Sequence, residues 1–165
     1  MSATEHPRAG TTAAATSDKQ FATFVVDNLL FGIEVSRVQE VLRHQEMTRV
    51  PRAVEEIEGL INLRGQIVTA IDVRRRLGLK PRESGRTPMN VVVRSEEGAV
   101  SLLVDEIGDV VDVEESAFEP VPDNVATGIR DLTSGVYKLE ERLLLVLDTS
   151  KTIDVDTSSS RQRAQ

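Results

Sequence analysis

The sequence predicts a mainly β fold of two pseudo-repeated, five-stranded, barrel-like subdomains with short helices. Three observations carry that prediction. Short runs of β-branched and aliphatic residues alternate with turn-forming pairs. The order of those runs repeats once along the chain. Aromatic residues make up only 3% of the 165, with no Trp and one Tyr, so aliphatic side chains have to fill the core.

Taken in order, Phe21 to Val26 reads as a strand, Asp27-Asn28 as a turn, and Leu29 to Val35 as the returning strand. Ser36-Arg37-Val38-Gln39 fits a capping box and predicts a short helix or turn through Leu42. Beyond the Val50-Pro51 loop, Leu60 to Leu63 and Gln66 to Ile71 form a hairpin about Arg64-Gly65. Asp72 is suited to cap a short helix through Leu77, closed by Gly78. Residues 79–88, with two Pro and one Gly, form a connector. Met89 to Arg94 and Ala99 to Val104 then make a hairpin about Glu96-Glu97-Gly98.

From there the first half is echoed. Ile33 to Val41 aligns with Leu102 to Val110 at a displacement of 69 residues, and Val50-Pro51 with Val121-Pro122 at 71. Gly59 aligns with Gly135 and Asp72 with Asp148, both at 76, so Leu60 to Asp72 overlays Val136 to Asp148. Thr149 to Ile153 echoes the helix at Val73 to Leu77. The expected division is a first subdomain at about 20–80 and a second at about 88–153. Units of about 60 residues bury little core of their own, so the two are expected to pack on each other through aliphatic faces, and neither should fold well alone. Residues 1–19 and 156–165, rich in small polar residues and without periodicity, read as disordered tails.

The charge balance narrows the function. A net charge of −7 argues against binding a phosphate backbone, which needs a basic face. Without cysteine there are no disulfides and no thiolate metal sites. Ser2-Ala3-Thr4-Glu5-His6-Pro7 has neither the basic start nor the apolar stretch of a signal peptide. Leu143 to Leu147, the longest aliphatic run, is far short of the roughly 20 residues that span a bilayer. A cytoplasmic location is expected.

Catalytic chemistry finds no footing. His44, in the polar segment Arg43-His44-Gln45-Glu46, has no cysteine to activate and reads as a surface residue. Asp105, Glu106, Asp109, Asp112, Glu114 and Glu115 lack the ligand spacing of a calcium loop and read as a solvated acidic face. No glycine-rich phosphate cradle occurs. Arg74-Arg75-Arg76 has no interleaved aromatics and reads as a solvated or partner-facing surface. The expectation is therefore a binding protein with no catalytic residues, no cofactor and no metal.

One stretch narrows this further. Gly59-Leu60-Ile61-Asn62-Leu63-Arg64-Gly65, the strand Gln66 to Ile71, then Asp72-Val73-Arg74-Arg75-Arg76-Leu77-Gly78, closely resembles the signature of the CheW-type chemotaxis adaptor family. Phe31 to Val35 with Val38 to Val41, and Leu103 to Val110, are similar to flanking segments of that family in the same order. The likeness runs from about Gln20 to Val155. Many relatives carry a proline in the strand before the Asp, where this chain has Thr69 or Ala70; a proline there only marks a strand edge.

The resemblance implies two five-stranded, SH3-like subdomains. It also implies a non-catalytic adaptor that binds the regulatory domain of a CheA-type histidine kinase and the cytoplasmic hairpin tip of methyl-accepting chemoreceptors. Such an adaptor is recruited to receptor arrays at the membrane. It carries partner-binding roles over to Val38, Glu40, Gly59, Asn62, Arg64 and Gly65. Arg64 and Glu40 are expected to pair on the surface, with recognition rather than stability as the result. The competing reading is a small barrel that binds nucleic acid, which would need exposed aromatics on basic strands. Phe21, Phe24 and Phe31 cluster in the first hairpin, where a core role is expected, and Phe118 lies in a loop.

Overall fold

The computed structural model describes residues 18–155. The expected tails fall outside this range, except that Asp18 and Lys19 already belong to the first strand. Ten strands form two five-stranded sheets. They are β1 (Asp18–Val26), β2 (Leu29–Glu34), β3 (Val38–Leu42), β4 (Ile57–Leu63), β5 (Gln66–Asp72), β6 (Met89–Ser95), β7 (Gly98–Val104), β8 (Glu106–Glu114), β9 (Thr133–Lys138) and β10 (Leu143–Leu147). Short helices α1 (Val73–Arg76), α2 (Thr127–Arg130) and α3 (Thr149–Ile153) punctuate them. None is long and apolar enough to cross a membrane.

One sheet runs β9-β10-β2-β1-β8 and the other β3-β6-β7-β5-β4. The sequence repeat is therefore real but exchanged. The first sheet joins the N-terminal hairpin β1–β2 to strands from the C-terminal part, while the second is the continuous stretch from β3 to β7. A division near residues 80–88 would cut through the second sheet. The parallel pairs explain why: β2 lies beside β10 (Phe31 opposite Leu145), as β7 lies beside β5 (Val100 opposite Thr69). Each half gives its opening hairpin to the other half's barrel. The registers agree throughout, and bulges recur at Ile57/Gly59 and Thr133/Gly135.

The segment expected to form a short helix or turn through Leu42 is different. Only Val35–Arg37 turns, as a single 3-10 turn without a side-chain cap, and Val38–Leu42 is strand β3. Antiparallel pairing of Val38, Glu40 and Val41 with Val93, Val92 and Val91 outweighs the local capping signal. Asp72 and Asp148 do cap α1 and α3, accepting from the backbone N–H of Arg74 and Lys151.

The main core draws on both sheets. Phe24, Phe31 and Ile33 meet Ile71, Val91, Leu102 and Leu145 in one cluster. Two small clusters lie apart from it, one per barrel: Phe21, Val113, Tyr137 and Leu144, and Ile61, Leu63, Val68 and Val92. The shared cluster follows from the alternation of β1, where Phe24 and Val26 face one way and Phe21 the other. With Phe21, Phe24 and Phe31 at 2% exposure or less, the first hairpin offers no aromatic platform to a nucleic acid.

Candidate functional site

The β4–β5 hairpin ends in a two-residue turn with Arg64 at φ +54° and Gly65 at φ +84°. Both central residues must be left-handed for the turn to match the twist of the strands. Gly65 adopts this freely, and Asn62 supports it by accepting the Gly65 N–H on Oδ1 at 2.9 Å. Arginine is an unusual occupant, since Asn, Asp or Gly would reach the same backbone at lower cost.

Its side chain reaches across to β3 and grips Glu40 with both arms, Nη1 to Oε2 at 2.6 Å and Nη2 to Oε1 at 2.7 Å. Since β3 and β4 are the two ends of the sheet, this fork bridges the open side of the barrel. Nearby, Thr48 and Leu60 exchange backbone hydrogen bonds of 2.9 and 2.8 Å across the same gap. The Arg64 side chain stays 72% exposed while the Glu40 side chain is 17% exposed. Hydrogen bonding from Arg64 holds the Glu40 carboxyl below its ordinary pKa, and the same bond raises that of Arg64. The Arg64 charge is fixed in direction and open to solvent, a geometry that presents rather than hides it.

Four of the expected residues thus share one corner: Glu40, Asn62, Arg64 and Gly65. The other two face elsewhere. Val38 is half-buried and packs against the main core. Gly59 sits where an added Cβ would fall 2.7 Å from the Thr48 carbonyl oxygen, so close backbone approach accounts for it.

Two exposed apolar residues close to these in sequence were not singled out in advance. Ile67 is 63% exposed three residues beyond Arg64, and Val41 is 41% exposed beside Glu40. The alternation of β5 carried the signal for Ile67, because burying Val68 turns its neighbour outward. An open groove of about 840 Å3, lined by His44, Met47, Arg49, Glu58, Leu60 and Asn62, adjoins the corner.

The arginine run and Asp105 prove structural instead of solvated. Arg74 forks onto Asp105 through Nε (3.0 and 3.1 Å) and Nη2 (2.8 Å), and Arg82 from the connector adds Nε at 3.1 Å. The Asp27 N–H donates to the same carboxylate at 2.8 Å. Burial pushes the Asp105 carboxyl up, but these donors outweigh it and hold the pKa below the ordinary aspartate range. Arg76 caps the end of α3 through the carbonyls of Lys151 and Thr152, and Arg75 reaches Glu55 and Asp72. These three arginines fasten elements together.

Comparison with known proteins agrees with this architecture. The CheW-like domain family model matches residues 20–156. The chemotaxis protein CheW of Bacillus subtilis (strain 168) is 32% identical over 149 residues, covering 90% of this chain and 96% of the relative. That of Thermotoga maritima is 27% identical over 144 residues, covering 87% and 93%. The crystal structure of the scaffolding protein TtCheW from Thermoanaerobacter tengcongensis superposes with a TM-score of 0.75 at 28% identity, covering 84% of this chain and 94% of that one. With the family model spanning both barrels, and relatives matched over nearly their whole length, the chain belongs to the CheW-like family of chemotaxis proteins.

Proposed function

We propose that this protein is a coupling adaptor of chemotaxis signalling, without catalytic activity of its own. It holds the cytoplasmic hairpin tip of a chemoreceptor and the regulatory domain of a CheA-type histidine kinase in one complex, at membrane-associated receptor arrays. The observation that carries the reading is the Arg64–Glu40 fork. A doubly hydrogen-bonded guanidinium, on an Arg64 side chain that is 72% exposed at a left-handed turn, spans the open side of a barrel. Exposed Ile67 lies three residues beyond Arg64 on the strand that leaves the turn, an apolar side chain of the kind that accompanies a charged group in a protein-binding hot spot. Val38 and Gly59 then support the site from behind, through packing and backbone approach.

The test is a pull-down with a receptor hairpin tip and with the kinase regulatory domain. Arg64→Glu should weaken at least one complex about thirtyfold and leave the circular dichroism melt of the adaptor nearly unchanged. Unchanged affinity for both partners would remove Arg64 from the site.

A further inference from the structure

A second pocket, of about 390 Å3, opens beside the first sheet between helix α2 and the tips of the β1–β2 and β9–β10 hairpins. It shares no residue with the groove next to Arg64. Buried Ile129 and Leu145 line it together with half-buried Leu29, Val125 and Leu143, and all five belong to or pack against the core common to both sheets. The other barrel does not repeat this lining. At the displacements of 69 and 76 residues, Leu29, Leu143 and Leu145 correspond to Gly98, Ile67 and Thr69, and Ile67 stands in solvent at 63% exposure. Helix α2 itself stands where the β3–β4 connection has turns but no helix. The same backbone frame is thus built without these aliphatic walls, so the fold alone does not account for them.

One charged group belongs to the lining. Arg142 donates from Nη2 to the Asn28 carbonyl at 3.0 Å, which ties the two hairpin tips together. Its other N–H groups have no protein acceptor among the described residues, although Glu140 and Glu141 precede it in the chain. At the equivalent place the other barrel has uncharged Gln66. A planar guanidinium with N–H groups to spare matches a carboxylate. A concave apolar lining of this volume matches a small ligand better than it matches a protein surface. We propose that the pocket binds a medium-chain aliphatic carboxylate, with its chain against Leu29, Val125 and Leu143 and its head group on Arg142. Occupancy joins the N-terminal hairpin to α2 and β10, and it stabilises the folded chain by mass action. The inference goes beyond the coupling role and does not depend on it.

An NMR titration of the full chain with sodium octanoate, read on assigned methyl groups, tests it. The methyls of Leu29, Val125 and Leu143 should shift together with a Kd of about 1 mM or below, and the thermal melt should rise with octanoate. Octanoate should bind about fifteenfold tighter than hexanoate, because two more methylenes are buried. Arg142→Gln should weaken octanoate about tenfold and leave the affinity for octanol as it was. Ala126→Trp, at an exposed position of the lining, should block both ligands. Both variants should keep the wild-type melt in the absence of ligand. A wild-type chain whose pocket methyls do not move at about 10 mM octanoate overturns the proposal. So does an affinity that ignores chain length, or octanoate binding that Arg142→Gln leaves intact.

Discussion

The two barrels keep one register and part company at their tips. In the second sheet, Arg64 crosses from the β4–β5 turn to Glu40 on β3. In the first, the corresponding positions are Glu140 and Asp109, two acids that cannot bridge. The ladders and bulges meanwhile agree residue for residue, and Asp72 and Asp148 cap equivalent helices. Positions that backbone pairing or core volume depends on are held in common. Those facing only solvent are free to diverge, and recognition chemistry is found there.

Core positions offer the strongest way to break this comparison. Phe31 is fully buried in the shared cluster, while its counterpart Val100 is only partly buried against it. Phe31→Ala should cost about 4 kcal/mol and Val100→Ala about 1 kcal/mol in urea denaturation. Equal costs would mean that the two barrels load the shared core alike.

The paired glycines sharpen it next. An added Cβ at Gly59 would press on the Thr48 backbone, which closes the barrel and cannot move aside. At Gly135 it would meet the ring of Phe118, which is 44% exposed and can swing out. Gly59→Ala should therefore cost about 2 kcal/mol, and Gly135→Ala about 1 kcal/mol or less. Thermal melts of the two variants measure the difference.

The crossovers between sheets give a smaller effect than Phe31→Ala or Gly59→Ala. At the β7–β8 crossover, Asp105 binds Arg74, Arg82 and the Asp27 amide; at the β2–β3 crossover its counterpart is Ser36. Asp105→Asn should lower stability at pH 7 by about 1.5 kcal/mol by leaving half-buried guanidinium groups under-paired. Because the folded pKa is depressed, this contribution is complete above the unfolded value and is lost as pH falls through the folded one. The gap between wild type and variant should thus close below about pH 4, read from acid titrations of the two melts.

Much of this was legible in the chain itself. Asn62 and Gly65 mark a tight turn, Asp72 and Asp148 mark helix starts, and the displaced identities mark a duplication. Strand partnership was not legible. A repeat reports which segments are equivalent but not which copy each one pairs with, and the exchange of hairpins is decided by long-range packing of Phe31 and Leu145. The capping pattern at Ser36 misled for a related reason, since pairing with Val91 to Val93 overrides a local signal. Arg74 and Arg76 looked solvent-facing because their acceptors lie far along the chain, Asp105 for Arg74 and the Lys151 and Thr152 carbonyls for Arg76.

The hairpin exchange bears on how the chain is made. During synthesis, β2 emerges long before β10, yet Leu30 must lie beside Leu144. The first hairpin therefore leaves the ribosome with its apolar side uncovered and waits for more than a hundred further residues, whereas the intervening stretch already holds every strand of its own sheet. Such late, distant closure slows maturation and prolongs exposure to chaperones and proteases. A nascent molecule would pass through a stage with one finished barrel and a dangling ribbon.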